Sequence, residues 1–394
     1  MRKQTIRDID VRGKRVLLRV DYNVQVNESG VRDDYRLRES LATIEALRAA
    51  GARIAILSHR GRPRGAPDPE FSNAPVAAHL SKLLGAPVAT ATESVGPEAE
   101  AAVEALAPGE VLLLENVRFH SEEEDNDPAF AAQLARLADV YVDDAFGTAH
   151  RAHASIVGVP RHLPAVAGLL MEREVRYLGA VAESPERPLG LVLGGAKMSD
   201  KLLILEHLLD KADVICVGGG MANTFLMAQG VAVEDSLVET DRVDVARKIL
   251  RRVTERPDLK FILPVDVVCS FGAAQGWQIV TVPVDRVPSG WRILDVGPAT
   301  VEAFAEALRP VKTAVWNGPM GLFEQSQFAL GSLALARVFA LLDATTVVGG
   351  GETAAVIAQA GVSDHITHIS TGGGASLAML EGKTLPGVAA LLDA

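Results

Sequence analysis

Short apolar segments rich in β-branched residues alternate with longer amphipathic segments along the whole chain. The apolar segments are 15–21, 52–58, 110–115 and 138–144 in the first half, and 189–195, 212–220, 260–268, 313–319, 345–351 and 365–374 in the second. Such alternation is typical of βα units, in which crossover helices join parallel strands. The sequence therefore predicts an α/β fold with parallel sheets.

The segment 164–188 separates the two sets of strands. Its apolar residues, from Val166 to Val181, recur at roughly helical spacing, and it ends in a Pro-Glu-Arg-Pro linker. A chain of 394 residues is long enough for two domains of ordinary size. We therefore predict a first lobe over 1–165, an interdomain helix and linker over 166–188, and a second lobe over 189–375.

Composition excludes several classes of protein. The net charge of −11 disfavours a general nucleic-acid binder, so any anion site must be local. No apolar run approaches the ~18 residues of a membrane span, and the N-terminus lacks a signal core, so the expected location is cytoplasmic. Cys216 and Cys269 lie in apolar runs and are expected to be buried thiols, whereas the acidic run 121–127 is expected to be a solvated loop.

Charged side chains follow the strands of the first half, where ligands bind in open α/β sheets. The residues of this kind are Arg62, Arg118 and Arg151 on separate loops, Arg36 ahead of a helix, and His59 and His150 nearby. Guanidinium groups match carboxylate and phosphate, so a small polyanionic ligand is predicted. His150 and His153 have no matching third ligand in the sequence, so this pair does not predict a metal site.

Glycine clusters follow the strands of the second half instead. They read GGAK, GGGM, NGPMG, GGGET and TGGGAS, and each precedes a helical pattern. Helix N-termini with approachable backbone N–H groups favour phosphate, so a nucleotide site is predicted. Lys197 and Lys201 follow the first cluster. On a helix they would share one face, with an anion over both.

Nine motifs, in order along the chain, resemble the phosphoglycerate kinase family over essentially its whole length. They lie at 17–24, 58–63, 112–120, 142–155, 194–201, 218–225, 315–324, 349–353 and 370–376. The resemblance implies a monomer of two Rossmann-like three-layer αβα lobes joined by a hinge helix, with a C-terminal segment (about 376–394) that returns to the first lobe. It also implies reversible phosphoryl transfer between 1,3-bisphosphoglycerate and Mg·ADP, which gives 3-phosphoglycerate and ATP.

The resemblance implies the site residues as well. Those for the glycerate substrate are Asp21, Tyr22, Asn23, Arg36, His59, Arg60, Gly61, Arg62, Arg118 and Arg151. Those for the nucleotide are Gly195, Ala196, Lys201, Gly219, Gly220, Ile293, Asn317, Pro319, Leu322, Glu324, Gly350, Gly351, Glu352 and Thr353. Lys197 would lie beside the transferring group, and Glu352 would bind Mg²⁺ directly or through water.

Four residues depart from the family pattern. Gln25 replaces a usual proline and is expected to loosen the turn before it, and Ile293 stands where a glycine often borders the adenine. Arg60 replaces an apolar residue and is expected to be solvated, and Glu352 replaces the more frequent aspartate. The side chain of Glu352 is one methylene longer, which favours metal contact through water.

The chemistry agrees with this assignment. The carboxylate acceptor is ionised at pH 7, so no general base is required. Catalysis then depends on positioning and on stabilising charge, for which Arg36, Lys197 and Lys201 are the candidates. The chain has no G-x-x-x-x-G-K-[ST] motif, so a P-loop kinase is not expected.

Two other classes of protein remain as alternatives. The segment 349–354 (GGGETA) fits the nicotinamide-binding pattern G-x-G-x-x-A, but no acidic residue follows about 20 positions later. A nicotinamide-dependent oxidoreductase is therefore the weaker alternative. A bilobal solute-binding protein is disfavoured by the absence of a secretion signal.

Overall fold

The computed structural model describes residues 2–28, 30–272 and 276–394, which form two compact units. The first unit runs from the N-terminus to Arg176 and includes Thr384–Ala394, and the second is Tyr177–Lys383. The C-terminal return therefore begins at Thr384, later than the position near 376 given by the resemblance. No helix within the described residues is long and apolar enough to cross a membrane.

The first unit is built on a parallel sheet covered by helices. Its strands are β1 (Arg15–Arg19), β2 (Val26–Asn27), β3 (Gly30–Val31), β4 (Arg53–Leu57), β5 (Val88–Thr90), β6 (Val111–Leu113), β7 (Val140–Asp143) and β8 (Ala165–Ala167). Its helices are α1 (Tyr35–Ala49), α2 (Ala74–Leu84), α3 (Pro97–Glu104), α4 (Pro128–Ala135) and the first half of α5 (Leu169–Glu183). The six-stranded sheet has the order β5-β6-β4-β1-β7-β8, and β2 and β3 form a separate hairpin.

The second unit repeats this plan and adds an antiparallel sheet. Its strands are β9 (Leu189–Leu193), β10 (Val214–Val217), β11 (Lys260–Ile262), β12 (Asp266–Phe271), β13 (Gln278–Pro283), β14 (Arg292–Val296), β15 (Thr313–Asn317), β16 (Thr345–Gly349) and β17 (His368–Ile369). Its helices are α6 (Leu202–Leu208), α7 (Gly219–Ala228), α8 (Val243–Thr254), α9 (Pro298–Leu308), α10 (Leu330–Ala340), α11 (Gly351–Gln359) and α12 (Gly374–Leu380), and α13 (Pro386–Ala389) belongs to the returning segment. The parallel sheet has the order β11-β10-β9-β15-β16-β17.

The prediction of parallel α/β architecture is confirmed. The strands of both six-stranded sheets pair in parallel, and their central strands are buried on both faces, which is why they read as unbroken apolar runs. In each sheet the order of the strands reverses at one strand: β1 lies between β4 and β7, and β9 lies between β10 and β15. Ligands in open α/β sheets bind at such a switch point, beyond the carboxyl ends of the strands.

Two segments differ from their predicted structure. The run 260–268 is not one strand, because β11 joins the parallel sheet whereas β12 pairs with β13 and β14 in the three-stranded antiparallel sheet. The run 164–188 begins with a strand, β8, and only then forms α5. Pro264 lies between β11 and β12 and has no N–H to donate to a sheet, which explains why the run 260–268 is interrupted.

Asp144 explains why α5 begins where it does. Its Oδ1 accepts the N–H groups of Leu170 at 2.9 Å and Met171 at 3.0 Å, which have no partner within the helix. A Cβ atom at residue 168 would overlap this carboxyl group, so only glycine fits there. Burial raises the pKa of Asp144 to about 6, with hydrogen bonds from Thr43 and the helix opposing the shift.

Candidate active site

The strand ends of the first unit bring a group of basic side chains together, as predicted. Arg36 Nη1 lies 2.9 Å from Asp21 Oδ2, just beyond β1. Asp21 Oδ1 is 4.0 Å from Nδ1 of His59, which follows β4. Buried Arg19 reaches the same His59 nitrogen at 3.3 Å, and because it lies inside β1 no sequence pattern indicates it. Burial, with Arg19, Arg118 and Arg36 nearby, holds the pKa of His59 well below its ordinary value, so the imidazole is neutral at pH 7.

The loops after β1, β4 and β6 are tied to one another. Asn23 Oδ1 accepts the Gly61 N–H at 2.9 Å, and Arg118 Nη1 donates to the Gly61 carbonyl at 3.0 Å. Arg118 is almost fully buried, and burial lowers its pKa even though Glu124 lies beside it. The guanidinium is therefore fixed in place before any ligand arrives.

Not every predicted residue turns toward this cluster. Arg60 is buried rather than solvated, because its guanidinium bonds the Glu70 carbonyl and its backbone is clamped by Asn116. The Tyr22 side chain lies in the core against Ser40 at 2.7 Å. Arg62 is exposed and Arg151 half-buried, so both remain accessible to a ligand.

The acidic run 121–127 is not simply solvated. Glu123 is fully buried, and it accepts hydrogen bonds from the Ser155 N–H at 2.8 Å and hydroxyl at 2.6 Å. His153 Nδ1 lies 3.7 Å from the same carboxylate. Ser155 also accepts a bond from Arg19 at 2.8 Å. These hydrogen bonds connect Glu123 through Ser155 to Arg19, which in turn contacts His59. No sequence pattern indicates them.

The second unit contains an open pocket bordered by the glycine loops after β9, β10 and β15 and by β14. The predicted residues in its lining are Gly195, Ala196, Gly219, Gly220, Ile293, Pro319, Leu322, Glu324 and Glu352. Ile293 thus leaves the pocket open. Leu237, Val267 and Asp295 also line it, and no sequence pattern indicates them because they follow no glycine cluster. Asn223 lines it as well; it follows the glycine cluster 218–220 but was not predicted as a site residue.

The glycine loops of this pocket pack directly on one another. A Cβ atom on Gly194 would collide with the Gly318 and Pro319 carbonyls, and Gly318 has a φ of +96°. The N–H groups of Gly195 and Gly219 donate to the carbonyls of Pro319 and Met320. These two donors hold the loops together, so they are not available to a phosphate.

The other predicted nucleotide residues Asn317, Gly350, Gly351 and Thr353 lie around the start of α11. Asn317 is buried, and its amide has no hydrogen-bond partner within the described residues. It faces Gly349 and Gly350, and Gly350 has a φ of +90° as the residue before the helix. Thr353 Oγ1 accepts the Gly318 N–H at 2.7 Å, so this side chain supports the loop after β15.

Lys197 and Lys201 do not share a helix face. α6 begins only at Leu202, and the residues before it form an irregular loop. Lys197 is exposed and Lys201 half-buried. Burial lowers the pKa of Lys201, opposed by Asp200, Glu352 and Glu381. The two ammonium groups therefore depend on the loop for their positions, and the charges around Lys201 place it on the Glu352 side of the pocket.

A family model described as phosphoglycerate kinase matches residues 6–383. The chain belongs to the phosphoglycerate kinase family. It is 56% identical over 393 residues to the phosphoglycerate kinase of Pelotomaculum thermopropionicum and 52% identical over 400 residues to that of Chloroflexus aurantiacus, with all of each chain covered. The phosphoglycerate kinase structure from Coxiella burnetii superimposes with a TM-score of 0.89 at 39% identity, and that from Pyrococcus horikoshii with 0.86 at 33%; each comparison covers 98% of both chains.

The predicted activity is confirmed by these comparisons. As a phosphoglycerate kinase, the chain transfers a phosphoryl group to the carboxyl group of 3-phosphoglycerate, with a nucleotide as the other substrate. The nicotinamide-dependent oxidoreductase is not supported, and GGGETA instead forms the turn into α11.

Proposed function

We propose that the first unit binds 3-phosphoglycerate or 1,3-bisphosphoglycerate through its basic cluster, and that the second binds ATP or ADP in the glycine-lined pocket. One observation carries this division of roles: preformed positive charge lies at the ends of β1, β4 and β6, whereas an open pocket lined by glycine loops lies beside β9 and β15. Arg36, His59, Arg62, Arg118 and Arg151 hold the phosphate and carboxylate of the acid, with Asp21 and Asn23 orienting them.

In the direction of ATP use, a carboxylate oxygen of 3-phosphoglycerate forms a bond to the γ-phosphorus. The bond from that phosphorus to the β-γ bridging oxygen breaks, and ADP leaves with the electron pair. Arg36, Lys197 and Lys201 stabilise the charge on the migrating group. Asn317, with its unpaired amide beside Gly350, and the start of α11 support the phosphate chain.

Glu352 suits a magnesium ion carried by the nucleotide. It lies in the first turn of α11 on the pocket wall, and the described residues contain no cluster of three acidic, histidine or cysteine side chains that could hold a metal alone. Mg²⁺ commonly takes one carboxylate together with substrate phosphates and water. When bound, it neutralises charge on the phosphates.

The hinge at α5 and a monomeric state stay predictions of the resemblance, and a cytoplasmic location stays a prediction from the sequence. The reaction needs the two ligands to meet, and closure would also expel water from them. An assay with ATP and 3-phosphoglycerate, coupled to reduction of the acyl-phosphate product, tests the proposed function. Turnover that requires both substrates and Mg²⁺ is expected, and folded protein without turnover would overturn it.

A further inference from the structure

The loop that carries both lysines lies between β9 and α6 and includes residues 194–201, which we call the lysine loop. Within it, the Lys201 N–H donates to the Met198 carbonyl at 3.0 Å, and the Met198 side chain is fully buried. These contacts fix the middle of the loop but leave Lys197 exposed. The positions of the two ammonium groups therefore depend on what else holds this loop.

Glu239 supplies that second attachment. Its Oε2 accepts the Ser199 N–H at 2.9 Å, and its Oε1 accepts the Ser199 hydroxyl at 2.6 Å. The Met198 N–H and the charge of Lys197 lie close enough to stabilise this carboxylate. Although partial burial opposes it, these contacts lower the pKa of Glu239, so it is ionised at neutral pH. Two successive backbone N–H groups around one carboxylate make an anion-binding turn.

Glu239 ends a segment that borders the nucleotide pocket, residues 233–239, which we call the strap. The Glu239 N–H donates to Thr224 Oγ1 at 3.2 Å, and Asn223 Nδ2 donates to the Leu237 carbonyl at 3.1 Å, so α7 holds the strap. Ser236 Oγ accepts the Ile293 N–H of β14 at 2.8 Å. Since Leu237 and Ile293 line the pocket, the strap joins its apolar wall to the lysine loop.

The arrangement separates two tasks within the lysine loop. The carboxylate of Glu239 accepts the backbone N–H of Ser199, with that of Met198 beside it, so these donors turn toward the strap. The ammonium groups are then left to interact with an incoming anion. A misplacement of about 1 Å in a charge-stabilising group can cost on the order of 10²-fold in rate, so the anchor of this loop matters to the reaction.

We propose that Glu239, acting through Ser199, is a positioning residue that holds Lys197 and Lys201 in place for phosphoryl transfer. The inference rests on the proposed function, since it assumes that these lysines face the phosphates. It adds a residue 38 positions beyond Lys201, on a different element, that follows neither a strand nor a glycine cluster.

The test compares Glu239→Gln with Glu234→Gln in the full chain. Glu234 lies in the same strap and accepts the Gly290 N–H at 3.1 Å, but it is exposed and contacts no part of the lysine loop among the described residues. Glu239→Gln is expected to lower kcat about 10–100-fold while KM for 3-phosphoglycerate is unchanged. Glu239→Asp should restore part of the loss because it keeps the charge, and Glu234→Gln should stay near the parent rate.

Two further measurements distinguish positioning from support of the fold. Amide hydrogen exchange at residues 197–200 should accelerate in Glu239→Gln. The melting temperature of this variant should equal that of the control, Glu234→Gln. Ser199→Ala should also lower kcat. The double variant Ser199→Ala/Glu239→Gln should lose little more than either single variant, because both substitutions disrupt the same contact between Ser199 and Glu239.

Each outcome assigns the failure to one idea. If Lys201→Ala lowers kcat but Glu239→Gln does not, the positioning role is wrong and the proposed function stands. If neither change lowers kcat, the role of the lysines in the proposed function fails first. A loss in Glu239→Gln matched by Glu234→Gln, with equal loss of melting temperature, would show a structural role only.

Discussion

The two ligand regions are built from different parts of the chain. In the first unit, side chains form the site: Arg36 is paired with Asp21, and Arg118 is buried and bonded to Gly61. In the second unit, backbone forms much of it: the loops after β9 and β15 touch where Gly194 meets Gly318. Fixed charges suit a small anion, and close-packed glycine backbone suits a flat base and a phosphate chain, in line with the proposed division of roles.

The difference also concerns how the charges are held. The guanidinium groups of Arg19 and Arg118 are buried and fixed by several partners. Lys197, by contrast, is exposed on a loop, and Glu239 is the acid that anchors this loop through Ser199. We therefore expect substitutions in the first unit to weaken binding of the acid, and substitutions in the lysine loop to act on turnover.

The largest expected effect is that of Lys201→Ala. Removal of a preorganised cation near the migrating group should lower kcat by about 10²–10³, or about 3–4 kcal/mol, with little change in KM for 3-phosphoglycerate. Lys201→Arg should rescue only partly, because a planar fork does not replace a compact ammonium. Steady-state kinetics measures both, with Lys248→Ala on the exposed face of α8 as the control. Near-normal turnover in Lys201→Ala would mean that this lysine is only a surface residue.

Asp295 should make the second unit less stable as the pH rises. Burial raises its pKa to about 7, opposed by bonds from the N–H groups of Gly331 and Val296. The folded state therefore keeps a proton that the unfolded chain releases near its ordinary pKa of 3.8. Its contribution is complete below about pH 4 and is lost as the pH rises to about 7, with a size of up to about 4 kcal/mol.

Asp295→Asn tests this linkage, because the amide resembles the protonated acid in shape and charge. Denaturant unfolding between pH 4 and 8 should show a flatter pH dependence in this variant than in the parent. Asp285→Asn, at an exposed position, should leave the dependence unchanged. An identical slope in parent and Asp295→Asn would rule out a raised pKa at this carboxyl.

Glu352→Gln should raise the Mg²⁺ concentration needed for half-maximal rate. The loss of one carboxylate contact, direct or through water, is expected to cost about 1 kcal/mol, or roughly fivefold in that concentration. Saturating Mg²⁺ should restore most of the rate. Magnesium titrations at fixed ATP measure the change, and an unaltered midpoint would remove Glu352 from the metal site.

The smallest expected signal is that of the predicted hinge at α5. Small-angle scattering should give a lower radius of gyration with both substrates than with either one, because closure brings the ligands together. Equal radii in all states would contradict the hinge and leave the enzyme assignment intact.

The sequence predicts the candidate site best where a functional side chain directly follows a strand. The positions of Asp21, His59 and Arg118 could be predicted because a parallel sheet gathers the residues beyond its strands at one edge. The buried acids Glu123 and Asp295 could not, because nothing local distinguishes a buried carboxylate from a solvated one until its partners, such as Ser155 and Gly331, are known.

Other errors have equally physical causes. The spacing of Lys197 and Lys201 suggested a helix that contains both. In the structure Ser199, between them, donates a hydrogen bond to the distant Glu239, and α6 begins only at Leu202. Arg60 was expected to be solvated because arginine usually is, yet it reaches the Glu70 carbonyl. Tertiary contacts decided both, and a single sequence does not contain them.

Calorimetric titration of the full chain with each substrate tests the division of roles most directly. Arg62→Ala is expected to weaken 3-phosphoglycerate binding by about 1.5–3 kcal/mol, the usual contribution of a charge-assisted hydrogen bond, and to leave Mg·ATP binding unchanged. Arg64→Ala, an exposed arginine two positions away, is the matched control and should leave both affinities as in the parent. An equal loss for both ligands in Arg62→Ala would contradict the account, because the arginine would then support the fold rather than bind the acid.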